Sequence, residues 1–202
     1  MEKNTLYPIF LKTEQLQVLV VGGGNVAEEK LHFLTKSSPN AKVTIVSPMI
    51  REKTAALAEQ FQVTVVKDVY KPSYLAGYHM VIATTDSPAV NEQVYADCRA
   101  RQLLVNVADN PPLCDFYMGG IVTKGNIKIA ISTNGKSPTT AKRLRQFFEE
   151  ILPDDINTMV QNLNEYRKTI QGDFEYKVKA MNDITTTLMA SKKEKKKKEI
   201  TK

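Results

Sequence analysis

The chain has 202 residues, of which 42% are hydrophobic and 25% are charged, which is ordinary for a globular protein with one substantial core and an accessory unit. No apolar run approaches the roughly 20 residues that a membrane span needs, and no charged-then-apolar signal opens the chain, so we predict a cytoplasmic protein without membrane contact. The two cysteines, Cys98 and Cys114, lack pairing or metal-ligand spacing, which predicts buried or incidental thiols in a reducing compartment.

The net charge of +6 is concentrated at one end of the chain. Residues 191–202 contain seven Lys and two Glu, so this segment accounts for +5 and the rest of the chain for only +1. We predict a solvated, frayed tail. A tail that binds RNA or a membrane is the weaker alternative. The tail also lacks interleaved aromatic residues, so no nucleic-acid partner is predicted.

The most informative stretch joins a short strand to a helix. Residues 18–21 form an apolar, β-branched run typical of a strand buried on both faces, and Gly22, Gly23 and Gly24 follow directly. Gly22, Gly24 and Ala27 fit a dinucleotide fingerprint, in which they allow the tight turn, the approach of a pyrophosphate and close helix-on-strand packing, respectively. The helix N-terminus then faces the phosphates. The alternative is a glycine-rich turn that binds nothing.

The first half of the chain alternates strands with helices. An apolar lead-in over residues 6–10 is expected to pack near the first strand. Further strands are predicted over residues 42–47, 63–66, 80–84 and 103–107, with helices after the glycine turn, around residues 55–58 and over residues 89–101. This alternation predicts an α/β fold, a Rossmann-like doubly wound parallel sheet with right-handed crossovers.

From residue 111 the pattern changes. Predicted strands over residues 116–123 and 126–132, joined by a Lys-Gly turn, form an antiparallel hairpin, and a helix opening at Pro138 is stopped by Pro153. The remainder to about residue 190 has helical apolar spacing. We therefore predict a dinucleotide-binding domain over 1–111, a small α+β segment over 112–152, a helical part over 153–190 and the tail over 191–202.

Ligands of a doubly wound sheet lie beyond the carboxyl ends of its strands. The residues at such positions, besides the glycine turn, are Ser47, Pro48 and Met49, then Asp68, then Thr84, Thr85 and Asp86, and finally residues 106–110. An acid ending the second strand would hold an NAD ribose, but Ser47 stands there. Arg51 is a candidate for a 2′-phosphate, although a plain surface side chain is the better interpretation. The residues alone leave NAD and NADP open.

Asp109 is the carboxylate that this pattern singles out. It follows the fifth predicted strand and precedes a Pro-Pro pair that stiffens the chain. A carboxylate placed there can accept a proton as hydride leaves a substrate, and an Asx-turn or a cap is the equally weighted alternative. Asp86 and Asp115 are weaker candidates, and we expect Asp86 to cap the helix that Pro88 begins.

Ser137 stands where a predicted helix begins and is interpreted first as its N-cap. Alternatively, the helix N-terminus together with Lys136 holds a substrate carboxylate or phosphate. The stretch from Ala130 to Ser137 partly matches a P-loop, but Ala130 replaces its first glycine and a proline follows the serine, which excludes a nucleoside-triphosphate site. His32 and His79 lie far apart and no His/Cys cluster has ligand spacing, so we predict no bound structural metal.

Taken together, five blocks of this sequence resemble the precorrin-2 dehydrogenases, the family that also forms the N-terminal part of siroheme synthase. The blocks cover residues 20–30, 83–86, 106–109, 116–117 and 134–138. The resemblance implies NAD-dependent oxidation of precorrin-2 to sirohydrochlorin, in siroheme or cobalamin biosynthesis. Some members also insert ferrous iron, so Fe2+ is a second substrate in that case.

The resemblance also implies roles for individual residues. It assigns NAD contacts to Asn25 and Val26 in the glycine turn and to Pro48 and Met49 after the second strand. With the strand-end residues, the predicted NAD-binding set is Gly22, Gly23, Gly24, Asn25, Val26, Ser47, Pro48, Met49, Thr84 and Thr85. The resemblance points to Asp109 as the essential catalytic carboxylate. Ser137 matches a serine at the active-site entrance in relatives, which with Lys136 gives the predicted substrate-binding pair.

Family members form homodimers, so the resemblance implies a homodimer in which the middle segment interlocks the subunits and acts as the dimerisation segment. The printed sequence lacks the methyltransferase module of fused relatives, and we expect this chain not to make precorrin-2 itself. The rival hypothesis is a non-catalytic dinucleotide-sensing module that regulates a partner. Such a sensor needs the glycine turn but requires neither Asp109 nor Ser137.

Overall fold

A computed structural model of the protein describes residues 3–186, so the predictions for the lysine-rich tail lie outside the described residues. The described residues form two compact units, residues 3–122 with Ile129–Phe148, and Thr123–Lys128 with residues 149–186. Within the described part of the chain, no helix has both the length and the apolar character needed to cross a bilayer.

A five-stranded parallel sheet forms the centre of the first unit. Its strands are β1 (Gln17–Val21), β2 (Lys42–Val46), β3 (Thr64–Val66), β4 (Met80–Ala83) and β5 (Leu104–Val107). They lie in the order β3-β2-β1-β4-β5, and Val20 pairs with Ile45 of β2 and Ile82 of β4. The order reverses between β1 and β4, which places the expected ligand crevice outside their carboxyl ends. The predicted doubly wound fold is confirmed.

Helices cover both faces of this sheet. They are α1 (Asn25–Ser37), α2 (Glu52–Gln60) and α3 (Pro88–Ala100). Alternate residues of β1 point to opposite faces, so Val18 and Val20 join a core cluster with Leu31 of α1, while Leu19 and Val21 join a second cluster with residues of α3. Each of these β1 side chains is at most 1% exposed, and burying each contributes about 1.5–3 kcal/mol.

The expectation that residues 6–10 pack near the first strand is wrong. Tyr7 is 87% exposed and Phe10 is 69% exposed. The chain first joins the sheet at Thr13, whose carbonyl accepts a hydrogen bond of 3.3 Å from the Lys42 N–H. The reason is that side chains of neighbouring strands and helices already fill both faces of β1, which leaves no apolar surface there for the lead-in.

The predicted hairpin is present as the two-stranded sheet of β6 (Gly120–Lys124) and β7 (Ile127–Ile131). Its first strand begins four residues later than predicted. The preceding segment is tied to the parallel sheet instead, because the Asn106 Nδ2 group donates to the Phe116 carbonyl at 2.8 Å. Phe116 and Met118 also pack against the first core cluster.

Three further helices are α4 (Pro138–Ile151), α5 (Ile156–Thr169) and α6 (Phe174–Thr185). The helical pattern predicted after Pro153 is therefore two helices, separated at Gly172 (φ +127°) and resumed where Asp173 caps α6. In the second unit, the Asn157 Oδ1 accepts from the Asn126 N–H at 2.8 Å, which fixes the tip of the hairpin against α5. The same unit contains a cavity of about 410 Å³ between side chains of α5 and Ile184.

Candidate active site

Gly22 makes the turn between β1 and α1. Its φ of +118° is in the left-handed half of conformational space, and a Cβ at this position would lie 2.6 Å from the Thr84 Oγ1 and 2.9 Å from its carbonyl carbon. The Gly22 N–H donates to the Val46 carbonyl at 2.9 Å, so the turn is closed against the end of β2. Only glycine meets both requirements.

The loop after β2 lies against the glycine turn. A Cβ on Gly23 would stand 2.5 Å from the Met49 carbonyl oxygen, and the Arg51 N–H donates to the Gly23 carbonyl at 3.0 Å. The Ser47 side chain is buried, and its hydroxyl donates to the Met49 carbonyl at 2.8 Å. Ser47 thus holds the loop, while Pro48 and Met49 remain exposed beside the glycine turn.

Gly24 differs from its two neighbours because a Cβ there would meet no heavy atom within 4 Å. It is the N-cap of α1 and supplies no side chain to cap the first N–H groups of the helix, which include those of Asn25 and Val26. Open space over uncapped N–H groups at a helix N-terminus is what a pyrophosphate requires. The residues present therefore fit a dinucleotide.

Thr84 and Thr85 follow β4 at the same edge. Thr84 is buried, and both its N–H and its hydroxyl donate to the Val21 carbonyl, at 2.8 and 2.9 Å. The Thr85 hydroxyl donates to the Asn91 Oδ1 at 2.8 Å, and the Asn91 Nδ2 donates back to the Thr85 carbonyl at 3.0 Å. Both threonine side chains therefore join elements of the protein at the crevice. Their predicted contact with NAD stays a prediction.

The expectation that Asp86 caps α3 is wrong, because Ser87 is the N-cap and its hydroxyl accepts from the Val90 N–H. Pro88 occupies the first helical position, so the capping residue is the one directly before it. Asp86 is exposed.

Asp109 lies in a turn just past β5. The Asn110 N–H donates to the Val107 carbonyl at 3.2 Å, and the Ala108 N–H donates to the Ala83 carbonyl at 2.9 Å, which holds the turn beside the end of β4. Asp109 has a φ of +60° and is exposed. Within residues 3–186, its carboxylate has no hydrogen-bonding partner and no ion pair, so it neither caps a helix nor closes an Asx-turn there.

Two other acids near the strand ends, Asp115 and Asp68, have partners. The Asp115 carboxylate accepts from the Val105 N–H at 3.0 Å and pairs with Arg99 at 2.9 Å, which anchors the chain to the edge of β5. Asp68 accepts from Lys71 and Tyr74, both at 2.6 Å, and these bonds lower the pKa of Asp68 to about 2. Asp109 differs from both in having no hydrogen-bonding or ionic partner among residues 3–186.

Ser137 is the N-cap of α4 in the structure, as predicted. Its hydroxyl accepts from the Thr140 N–H at 3.2 Å, and its own N–H donates to the Thr133 hydroxyl at 3.2 Å. Lys136 directly precedes it in the exposed turn that leads into the helix. Their predicted role in substrate binding stays a prediction.

The histidines lie away from the crevice. His79 is at the amino end of β4, where its Nδ1 accepts from the Gln17 N–H at 3.0 Å, and His32 stacks edge-on against Phe33 on α1. In residues 3–186, no group of three or more His, Cys, Asp or Glu side chains has a metal-binding arrangement.

Sequence reasoning included Asn106 and Cys114 but missed their roles in supporting the site. Asn106 is a polar residue within an apolar strand, and it is only 6% exposed. A polar residue in such a run is the sequence signal that could have indicated a buried, hydrogen-bonded amide. Its Nδ2 group holds the chain after β5 through the Phe116 carbonyl, and it lies 3.4 Å from the Cys114 Sγ. No comparable signal marks Cys114, whose contacts depend on how the chain folds back after residue 110.

A buried β1 strand, a glycine turn and an open helix N-terminus at the switch of the strand order define a dinucleotide-binding domain of the doubly wound class. Residues 9–120 match the family model described as putative NAD(P)-binding, and residues 124–151 match the model described as sirohaem biosynthesis protein central. The chain therefore belongs to the siroheme synthase and precorrin-2 dehydrogenase family that its sequence resembles.

Curated relatives agree with this assignment. The chain is 37% identical over 166 residues to siroheme synthase of Psychrobacter sp. (strain PRwf-1), covering 82% of this chain and 34% of that protein. It is 36% identical over 168 residues to siroheme synthase of Pseudoalteromonas atlantica (strain T6c / ATCC BAA-1087), covering 83% and 36%, respectively. The chain thus spans about one third of the length of these relatives.

A solved structure described as SirC, precorrin-2 dehydrogenase, matches the fold with a TM-score of 0.70 and 24% identity. The match covers 89% of each chain. It supports the arrangement of the parallel sheet and the elements that follow it.

Proposed function

We propose that the protein catalyses NAD-dependent dehydrogenation of precorrin-2 to sirohydrochlorin, in a cytoplasmic pathway leading to siroheme or cobalamin. The observation that carries this proposal is the Asp109 carboxylate, which has no partner within residues 3–186 and lies at the edge of the sheet where the glycine turn offers a dinucleotide cradle. A sensing module requires the cradle alone, whereas an oxidation also requires a group that takes a proton.

NAD would be held by the backbone of the glycine turn, with its pyrophosphate over Gly24 and the first N–H groups of α1, those of Asn25 and Val26. Pro48 and Met49 are proposed to contact it from the neighbouring loop, since both are exposed where that loop lies against Gly23. When bound, NAD supplies a hydride acceptor.

The oxidation removes two hydrogens from the tetrapyrrole. One leaves as hydride with both electrons and reduces NAD to NADH, and the other leaves as a proton when the new double bond forms. Asp109 is proposed to stabilise the developing positive charge and to accept that proton. Ser137 and Lys136 are proposed to bind a carboxylate of the substrate at the entrance of the site.

Insertion of Fe2+ into sirohydrochlorin is proposed as a second activity, with iron as a substrate. It requires loss of pyrrole protons, so it would use Asp109 in the same pocket. Supplying sirohydrochlorin and Fe2+ tests it, and failure to form siroheme would limit the protein to dehydrogenation.

A homodimer is also proposed, with residues 112–152 as the dimerisation segment between the dinucleotide-binding domain and the helical part. Supporting it, α4 exposes Leu144, Phe147 and Ile151 at helical spacing, and they are 39%, 52% and 50% exposed. Sedimentation of the protein should give about twice the 22.7 kDa of one chain. A fully active monomer would contradict the proposal.

The decisive assay supplies precorrin-2 with NAD and follows NADH. We expect Asp109→Asn to bind NAD like the wild type and to lose roughly 10²-fold or more in rate, the scale of losing a general base. Asp86→Asn is the matched control, because Asp86 is an exposed acid after the neighbouring strand and should keep full activity. NAD binding without NADH formation by the wild type would favour the sensing module instead.

A further inference from the structure

The turn that carries Asp109 has a conformation that most residue types rarely adopt. Asp109 has a φ of +60°, in the left-handed region that glycine adopts freely and that aspartate and asparagine tolerate better than most other residues. Such conformations persist where the surrounding structure fixes them from several sides. One backbone hydrogen bond, from the Asn110 N–H to the Val107 carbonyl, closes the turn.

A cysteine side chain lies against both ends of this turn. The Cys114 Sγ is 3.2 Å from the Val107 carbonyl oxygen and 3.4 Å from the Asn110 carbonyl oxygen. These two carbonyls flank Asp109, one two residues before it and the other directly after it. The single S–H proton can be donated to one of them at a time, and Val107 is the nearer acceptor.

The thiol is itself held by groups inside the sheet. The Asn106 Nδ2 lies 3.4 Å from the Cys114 Sγ. The same amide group donates to the Phe116 carbonyl at 2.8 Å, and this shorter hydrogen bond fixes the position of the Asn106 side chain. The 3₁₀ turn Pro111–Leu113 returns the chain to this point, where the Cys114 N–H donates to the Pro111 carbonyl at 3.1 Å. Burial raises the pKa of the Cys114 thiol, which keeps the S–H proton in place as a donor.

We propose that Cys114 is a positioning residue for Asp109, holding the turn over residues 107–110 by donating its S–H to the carbonyls on either side of that carboxylate. This inference rests on the proposed function, in which Asp109 accepts a proton from the substrate. Cys114 does not touch the reacting atoms. It fixes the backbone from which the carboxylate projects, and an error of about 1 Å in such a group can lower a rate by about 10²-fold.

The test compares Cys114→Ala, which removes the donor, with Cys114→Ser, which keeps one. We expect Cys114→Ala to lower kcat by about 10-fold and to leave the Kd for NAD unchanged, since the glycine turn is untouched. Cys114→Ser should recover at least about 3-fold of that loss, because a hydroxyl is a donor in the same place. Cys98→Ala is the matched control, since Cys98 is a fully buried cysteine in the second core cluster and should lose stability but not kcat.

A double variant separates positioning from a general loss of structure. In the Asp109→Asn background, Cys114→Ala should lower the residual kcat by less than about 2-fold, because the group that it positions is already gone. An unchanged kcat in Cys114→Ala, or an equal loss in both backgrounds, would overturn the inference. Cys114→Val, which lacks the donor but fills the space, replaces Cys114→Ala if the smaller side chain prevents folding, with the same expected loss.

The proposed function and this inference fail in different ways. If Asp109→Asn is inactive and Cys114→Ala is fully active, the inference alone is wrong. If Asp109→Asn turns over like the wild type, both are wrong.

Discussion

Gly24→Val separates cofactor binding from folding, because residue 24 is a place where a new side chain meets solvent instead of protein. No heavy atom lies within 4 Å of a Cβ there, and the backbone, at φ −86° and ψ −163°, is in the extended region that valine favours. A valine N-cap is about 1 kcal/mol worse than the best capping residues and glycine only a few tenths worse, so the replacement itself costs somewhat less than about 1 kcal/mol. The lost freedom of glycine in the unfolded chain offsets this by about 0.4–1 kcal/mol.

These two contributions to the free energy of unfolding nearly cancel, so the Tm should stay within about 4 °C of the wild type. The effect on NAD should be large, because the valine occupies the space over the N-terminus of α1. A charge-assisted hydrogen bond from a helix N–H to phosphate contributes about 1.5–3 kcal/mol. Losing one or two of them weakens binding by about 3 kcal/mol, or roughly 100-fold in Kd.

Calorimetric titration with NAD and thermal unfolding, on the same samples, measure the two effects. Gly24→Ala should have an affinity for NAD between those of the wild type and Gly24→Val, because a methyl group fills less of the space over the N-terminus of α1 than the valine side chain does. Gly22→Ala is the contrasting variant, since a positive φ costs roughly 1–2 kcal/mol and its Cβ would approach Thr84 to 2.6 Å. Gly22→Ala should therefore lower the Tm, whereas Gly24→Val should lower mainly the affinity for NAD. A folded Gly24→Val protein with unchanged affinity for NAD would refute the placement of the pyrophosphate.

Three further predictions concern how the elements are held. Ser87→Ala should lower the free energy of unfolding by about 1 kcal/mol in urea titrations and Asp86→Ala should not, because Ser87 caps α3. The bonds from Lys71 and Tyr74 lower the pKa of Asp68 from 3.8 to about 2, so its ionised form favours the folded state above about pH 4 and this contribution is lost as the pH falls towards 2. Asp68→Asn should therefore flatten the pH dependence of the urea midpoint in that interval, and an unchanged slope would contradict the assignment. Asn157→Ala should cost about 1 kcal/mol, measured by thermal unfolding, because its Oδ1 accepts from the N–H and the Nδ2 of Asn126.

The parallel sheet could be predicted from sequence because its determinants are local. The central strands β1 and β4 are largely apolar runs of five and four residues, and burial on both faces removes the alternation that other strands have. The exposed lead-in at Tyr7 and Phe10 could not be predicted in the same way. An apolar segment packs only if a free apolar surface exists for it, and that depends on which helices already cover β1.

The candidate site was predictable only where a residue's identity fixes its role. Gly22 and Gly24 could be assigned because a missing Cβ has direct consequences for a turn and for a ligand. Ser47 and Thr84 were assigned to the NAD-binding set from their position alone, although a hydroxyl at a strand end can face a cofactor or a neighbouring carbonyl. The structure directs both hydroxyls to carbonyls, of Met49 and Val21, respectively.

Asp109 and Asp115 are the same residue type and lie six positions apart, but the structure gives partners to the carboxylate of Asp115 and not, within residues 3–186, to that of Asp109. Asp115 accepts a backbone N–H and pairs with Arg99, so its carboxylate contributes to the fold. Asp109 makes no such bond within residues 3–186, and its left-handed backbone is one that aspartate and asparagine tolerate better than most residues. Glycine or asparagine would suit this turn as well, and the property that both lack is a titratable carboxylate. A carboxylate that the described fold does not use supports the proposal that Asp109 accepts the proton, independently of the family resemblance.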